Sequence, residues 1–189
     1  MPNVRDLAVA LLMGWILIDG VVVFRHKTGA AENRDRHSMK FIMFASPSML
    51  LIALLAAYGK FGGLGAMHAA ALQVAGLCVM AIGIGVRSAA IAQLGRFHTP
   101  NVAVRADHAL REDGLYRLVR HPSYLGALIA FAGFGLALGN WLAFWIVALA
   151  APCIYLVRIR EEEAALAAAF GEAYAAYRRR TTRLVPWLY

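Results

Sequence analysis

The sequence predicts an all-α, polytopic membrane protein: five transmembrane helices, N-terminus outside, and a C-terminal amphipathic helix in the cytoplasm. Three observations carry this reading. Of the 189 residues 61% are hydrophobic and only 16% charged, where soluble domains run at roughly 45–50% and about 25%. Apolar stretches approach the ~20 residues a bilayer crossing needs. The basic residues, which give the chain a net charge of +8, fall almost entirely into alternate loops.

The first span is placed at residues 4–24, interrupted by Asp19 and followed by "RHKTGAAENRDRHSMK" in place of a small-residue cleavage pattern, so it reads as a retained anchor helix. The second is placed at 41–58, with Pro47 inside. The third runs over 67–86 and continues as helix through "RSAAIAQL". The fourth, 123–138, and fifth, 141–157, are separated only by Gly139-Asn140, a pair that fits a tight hairpin. No repeat, linker or second domain interrupts this pattern, so residues 1–189 form one integral membrane domain. Gly133, Gly135 and Gly139, and Ala81 and Gly85, recur at spacings that let helices approach closely in lipid.

Sorting Lys and Arg by loop sets the orientation. Arg5 and Lys60 fall on one side. The first loop holds five basic residues, the third loop six and the tail six, so 17 of the 19 fall on the other side. That side is cytoplasmic by the positive-inside rule. The collar accounts for the basic balance through contact with anionic lipid headgroups, and no zinc-finger spacing or basic region with heptads points to nucleic acid. Cys78 and Cys153 sit in apolar runs and predict no disulfide. Chemistry is expected in the two long cytoplasmic segments, 94–122 and 158–189.

Two constellations stand out there. In "GLYRLVRHPSYLG", Gly114 to Gly126, Pro122 suits the first position of a helix, which puts His121 at or beside the N-cap. The amides of Ser123, Tyr124 and Leu125 would then lack helical partners, and with Arg117, Arg120 and His121 nearby the helix start could bind an anion. Interfacial anchoring at a helix start is the competing reading. In "RIREEEAALAAAFGEAYAAYRRR", residues Arg158, Glu162, Leu166, Phe170, Ala173 and Tyr177 share one helical face. An exposed Arg-to-Glu pair four residues apart is worth only about 0.2–0.5 kcal/mol, a weak reason for the arrangement. Glu161 is expected to face solvent and Glu162 or Glu163 to enter a site; a solvated charged turn is the alternative.

Asp19 costs roughly 2.5–3.5 kcal/mol at mid-span and less near the cytoplasmic end, so a structural pairing with Arg87 or another cytoplasmic base is expected, with direct chemistry as the alternative. His26, His37, His68, His98 and His108 show no metal-ligand spacing, and no metal site is predicted. Dinucleotide, nucleotide-triphosphate, nucleophile-elbow and zinc-protease motifs are absent. Five short spans also lack the paired broken helices of many transporters.

The stretches "LGRFHTPNVAV", "LREDGLYRLVRHPSYLG", "EEAALAAAFGEAYAAYRRR" and "LVPWL", in this order and separation, resemble the isoprenylcysteine carboxyl methyltransferase family and its relatives among membrane phospholipid methyltransferases. The resemblance covers roughly Leu94 to Leu188. It departs at Leu115, where the family often has Pro, and at Thr181-Thr182, where it often has Val-Pro; neither is expected to touch the charged core.

The resemblance implies an integral membrane enzyme that uses S-adenosyl-L-methionine and releases S-adenosyl-L-homocysteine. His121, Tyr124 and Gly126 would line the cofactor pocket, with Gly114, Leu115, Tyr116, Val119 and Arg120 leading into it. Glu162 or Glu163 would hold polar groups of the cofactor. Arg158 with Glu162 and Glu163 would border the acceptor as catalytic residues. The acceptor implied is lipophilic, with a prenylated thiol-carboxylate as the class pattern and membrane lipids as the surroundings. Ala- and Arg-rich usage reads as bacterial, which places the chain in the inner membrane and favours a small lipid or thiol acceptor. The alternatives are a phospholipid or small thiol or amine methyltransferase, and a non-methylating lipid-binding or reductase-like relative.

Overall fold

The computed structural model describes residues 3–26, 38–59, 66, 69–95 and 110–185. Expectations for Lys60, Arg96, Arg105, His37, His68, His98 and His108, for most of "LGRFHTPNVAV" and for the end of "LVPWL" lie outside the described residues, as do the side chains of Arg25 and His26.

Among the described residues the chain is helical. Helix α1 spans Val4–His26, where Asn3 Oδ1 accepts the Asp6 N–H at 2.9 Å and so caps the first turn. Its Ala8, Leu12 and Trp15 face the core at helical spacing, while Leu17 and Ile18 face outward. Helix α2, Ser38–Tyr58, contains Pro47. The proline removes one backbone donor, and in the same turn the Ser48 hydroxyl donates to the Phe44 carbonyl at 2.7 Å. Helix α3 covers Ala70–Leu94, so the predicted continuation through "RSAAIAQL" is present. Helix α4 is Pro122–Ala137, α5 is Trp141–Phe170 and α6 is Glu172–Arg180.

The most extensive interhelical contact joins α3 and α4, and glycine makes it. A β-carbon at Gly76 would sit 2.5 Å from the Ala137 nitrogen, and one at Gly126 would sit 2.5 Å from the Arg87 nitrogen. Gly83 faces Gly126, and Gly133 faces Gly76. The two helices thus run antiparallel with backbones nearly in contact, through paired glycines seven residues apart on each. Of the small residues singled out from sequence, Gly133 lies in this seam. Gly135 instead packs on Phe144 of α5, and Gly85 has open space around it.

The α4–α5 connection is the tight turn expected. Gly139 takes φ +66°, and the buried Asn140 caps α5 by accepting the Ala143 N–H at 3.0 Å. Helix α5 differs from expectation. The fifth span and the tail helix are one 30-residue helix, about 45 Å long at 1.5 Å per residue. It stops at Gly171, with φ +52°, whose N–H returns to the Ala167 carbonyl. The predicted stripe from Arg158 to Tyr177 is therefore broken: Ala173 and Tyr177 belong to α6, beyond the Gly171 break, where Tyr174 and Tyr177 are buried.

Among the described residues, three segments are long and apolar enough to cross a membrane: Lys40–Tyr58, α3 and α5. Helix α4 is apolar but has 16 residues, and α1 has 23 and carries Arg5, Asp6 and Asp19. Phe44, Leu51, Ile82, Trp145 and Leu149 lie exposed on these helices, which suits a hydrocarbon solvent. Contacts between helix ends gather at two levels. At one, Arg5 Nη1 donates to the Ala57 carbonyl at 3.0 Å and the Tyr58 hydroxyl to Asp6 at 3.0 Å. At the other, the C-terminal parts of α1 and α3 meet the start of α4. Cys78 and Cys153 are free.

Candidate active site

The site is assembled by a return of the tail. Beyond α6, residues 181–183 run parallel to residues 119–121. The Arg120 N–H donates to the Thr182 carbonyl at 2.8 Å and the His121 N–H to the Arg183 carbonyl at 3.2 Å, with a parallel bridge between Val119 and Thr182. The Thr181 hydroxyl donates to the Tyr177 carbonyl at 2.7 Å, and the Tyr177 hydroxyl to the Tyr116 carbonyl at 2.7 Å. Arg120 Nη1 also donates to the Thr181 carbonyl. This corrects the expectation for Thr181: its backbone oxygen touches the charged core, while the Thr182 carbonyl takes only the Arg120 backbone N–H.

Glu163 is the electrostatic centre. Its Oε1 accepts from Arg120 Nε at 2.9 Å and lies 3.3 Å from His121 Nε2; its Oε2 accepts from Arg183 Nη2 at 2.7 Å. The carboxylate side chain is 6% exposed and that of Arg120 is 9% exposed. Charge-assisted bonds of this kind are shorter and about twice as strong as neutral ones. They are needed, because an uncompensated buried charge costs several kcal/mol.

Glu162, one residue earlier and 32% exposed, is less committed. It accepts the Tyr124 hydroxyl at 2.6 Å, and its Oε1 lies 3.8 Å from His121 Nδ1. The imidazole thus stands between the two carboxylates, stacked on Tyr124 with centroids 5.6 Å apart. Tyr155 adjoins Tyr124 at 5.2 Å, and Phe131 links Tyr155 to Trp15. Glu161 is exposed, as its helical position predicted, and both Glu162 and Glu163 reach the cluster. Arg158 is buried one turn before Glu162 on the same helix.

The start of α4 needs a correction. His121 is its N-cap and Pro122 its first residue. However, the Tyr124 and Leu125 amides both donate to the His121 carbonyl, at 3.1 and 3.0 Å. Two of the three amides expected to be unpartnered are therefore satisfied by the N-cap oxygen, and Arg117 is exposed. The expected anion site at the helix start loses most of its donors.

The remaining predicted residues lie between the end of α3 and the first turns of α4. Gly114 opens a 3₁₀ turn, Gly114–Arg117, with φ +56°. The Leu115 N–H donates to Gln93 Oε1 at 3.0 Å and the buried Tyr116 hydroxyl to the Ala90 carbonyl at 3.3 Å, which docks the turn on the end of α3. Val119 is buried. Gly126 faces the Arg87 backbone in the α3–α4 seam rather than the carboxylates. Burial pushes the Tyr116, Tyr174 and Tyr177 hydroxyls well above the usual phenol range, so they remain neutral. The Tyr174 hydroxyl is buried and makes no hydrogen bond among the described residues.

Sequence reasoning missed Arg183, Tyr174 and Tyr177 as parts of the site. The usable signal was Gly171, a glycine inside a helical pattern that marks a helix end and so allows the chain to turn back. The expected pairing of Asp19 is present: Arg87 Nε and Nη2 donate to Asp19 Oδ2 at 2.8 and 2.6 Å.

Residues 74–168 match the family model described as "Isoprenylcysteine carboxyl methyltransferase (ICMT) family". The chain is similar to a protein-S-isoprenylcysteine O-methyltransferase of Schizosaccharomyces pombe, 35% identical over 116 residues that cover 60% of this chain and 49% of that one. It is also similar to a methanethiol S-methyltransferase of Mycobacterium tuberculosis, 41% identical over 73 residues, 39% of this chain and 29% of the relative. Among solved structures it resembles the eukaryotic intramembrane Ras methyltransferase, isoprenylcysteine carboxyl methyltransferase. The TM-score is 0.62 at 26% identity, over 82% of this chain and 55% of that one. The chain thus spans about half the length of the isoprenylcysteine relative from fission yeast. The matched segment runs from α3 to Ala168 of α5 and contains His121, Tyr124, Arg158, Glu162 and Glu163. By fold, by membrane-crossing helices and by this matched core, the chain belongs to the isoprenylcysteine carboxyl methyltransferase family.

Proposed function

We propose that the chain is a membrane methyltransferase that moves a methyl group from S-adenosyl-L-methionine to a lipophilic acceptor. The reading follows the pattern of protein-S-isoprenylcysteine O-methylation. The observation that carries it is the cluster in which His121 lies between Glu162 and Glu163 while Tyr124 is bonded to Glu162. In this reading the five predicted spans cross the membrane with the N-terminus outside and the cluster at the cytoplasmic face. The meeting of the C-terminal parts of α1, α3 and α5 with the start of α4 supports it.

The residues fit the cofactor. Glu162 is partly open, and the Tyr174 hydroxyl is buried with no partner among the described residues, so both an acceptor and a donor are offered to an adenosyl or amino-acid group. When bound, the cofactor supplies a methyl on a sulfonium sulfur, open to in-line displacement. Glu162 would hold polar N–H groups, and the Tyr124 face would favour the nearby cation. Glu163, saturated by its three partners, keeps the docked tail and His121 in place. Arg158 would orient an acceptor carboxylate by a two-pronged contact; such an acceptor is already ionised and needs no base. Gly114, Leu115, Tyr116, Val119 and Arg120 shape the approach, with Gly126 setting the depth of α4 against α3.

Calorimetry of the purified protein in detergent with S-adenosyl-L-homocysteine tests this. Saturable binding is expected, and none at millimolar ligand overturns it. A second reading, a thiol acceptor, is favoured by the similarity to methanethiol S-methyltransferases, 41% over 73 residues and 44% over 75. There Glu162 would take the thiol proton. Base treatment of labelled product separates the two, because a methyl ester is cleaved and a thioether is not.

A further inference from the structure

Arg87 touches the start of α4 twice. Its backbone lies against Gly126, so closely that a β-carbon there would be 2.5 Å from its nitrogen. Its Nη1 donates to the Ser123 carbonyl at 3.3 Å, an oxygen between His121 and Tyr124 in the chain. The rest of its guanidinium fork is spent on Asp19 of α1, through Nε and Nη2 at 2.8 and 2.6 Å. The Trp15 ring, also on α1, stands 5.9 Å from the guanidinium and packs on Phe131 of α4. One side chain therefore ties three helices together at the turn that carries the candidate site. Asp19 fixes its direction, because a planar fork bonded by two of its nitrogens leaves the third pointing one way.

We propose that Asp19 and Arg87 are positioning residues for methyl transfer: the ion pair holds the Ser123 carbonyl, and with it the first turn of α4, so that His121 and Tyr124 meet Glu162 and Glu163. This rests on the functional reading above. Neither residue bonds to the carboxylate pair itself in the described contacts. Asp19 acts through Arg87, and Arg87 through the backbone of Ser123.

The experiment is a double-mutant cycle on S-adenosyl-L-homocysteine affinity by calorimetry in detergent, with melting temperature recorded for each variant. Asp19→Asn is expected to weaken binding about tenfold, the size of one lost charge-assisted contact. In a Tyr124→Phe background the same change should weaken it less than about twofold, since the contact it positions is already gone. Arg87→Lys is the second probe: it keeps a cation beside Asp19 but not the fork that reaches Ser123, so affinity should fall while the protein remains folded. A purely structural pair would lower the melting temperature and leave affinity well below melting unchanged. Full additivity of Asp19→Asn and Tyr124→Phe, or unchanged affinity in folded Asp19→Asn and Arg87→Lys, overturns the proposal. Failure of the unmodified protein to bind overturns the functional reading itself, and the proposal with it.

Discussion

Replacing Glu163 with glutamine keeps the shape of the side chain and removes its charge. One of its two acceptor oxygens also becomes a donor, facing a guanidinium at 2.7 or 2.9 Å. Removing one partner of a buried ion pair costs roughly 3–5 kcal/mol. Solvent offsets little of it here, since the side chains of Glu163, Arg120 and Arg183 are 6%, 9% and 18% exposed. Taking about 3 kcal/mol, at about 1.4 kcal/mol per decade, the equilibrium for docking residues 181–183 shifts by about two decades. The reporters are the Arg120 and His121 amides, which donate to the Thr182 and Arg183 carbonyls. In Glu163→Gln their hydrogen exchange should speed up about a hundredfold, while exchange in the α3–α4 seam around Met80 stays unchanged. If both amides exchange as in the parent protein, the Glu163 carboxylate is not what holds the tail against the start of α4.

Tyr124→Phe loses the 2.6 Å bond to Glu162 and should weaken S-adenosyl-L-homocysteine binding about tenfold in calorimetry. Gly126→Ala forces a β-carbon onto the Arg87 backbone and should destabilise by about 1–3 kcal/mol or more. Gly85→Ala, with open space around it, should be neutral or raise stability by up to about 1 kcal/mol; melting in detergent distinguishes the two. Asn140→Ala removes the cap of α5 and should cost about 1–2 kcal/mol in the same assay.

The all-helical architecture, the 139–140 turn, the extension of α3, the N-cap role of His121 and the Asp19–Arg87 pair were legible in the sequence, because each depends on local pattern or on one unpaired charge in an apolar run. The site's closure was not. Arg183 becomes a partner of Glu163 only because Gly171 ends α5 and residues 181–183 return beside residues 119–121. Periodicity carried past Gly171 placed Tyr177 on the wrong helix. The anion site expected at the start of α4 loses most of its donors for a simpler reason: the N-cap carbonyl satisfies two of the three amides that a linear reading leaves open. Gly126, grouped from its motif with the cofactor residues, is a packing glycine against Arg87, and its partner Gly83 lies 43 positions away in a stretch with no motif of its own.

The most direct measurement follows labelled methyl from S-adenosyl-L-methionine in membranes that contain the chain, with prenylated thiol-carboxylates, phospholipids and alkyl thiols offered as acceptors. Label should pass to an organic-extractable product in parent membranes and not in Glu162→Gln membranes, whose protein still melts as the parent does. No label on any acceptor, from protein shown to bind S-adenosyl-L-homocysteine, would contradict methyl transfer to a lipophilic acceptor.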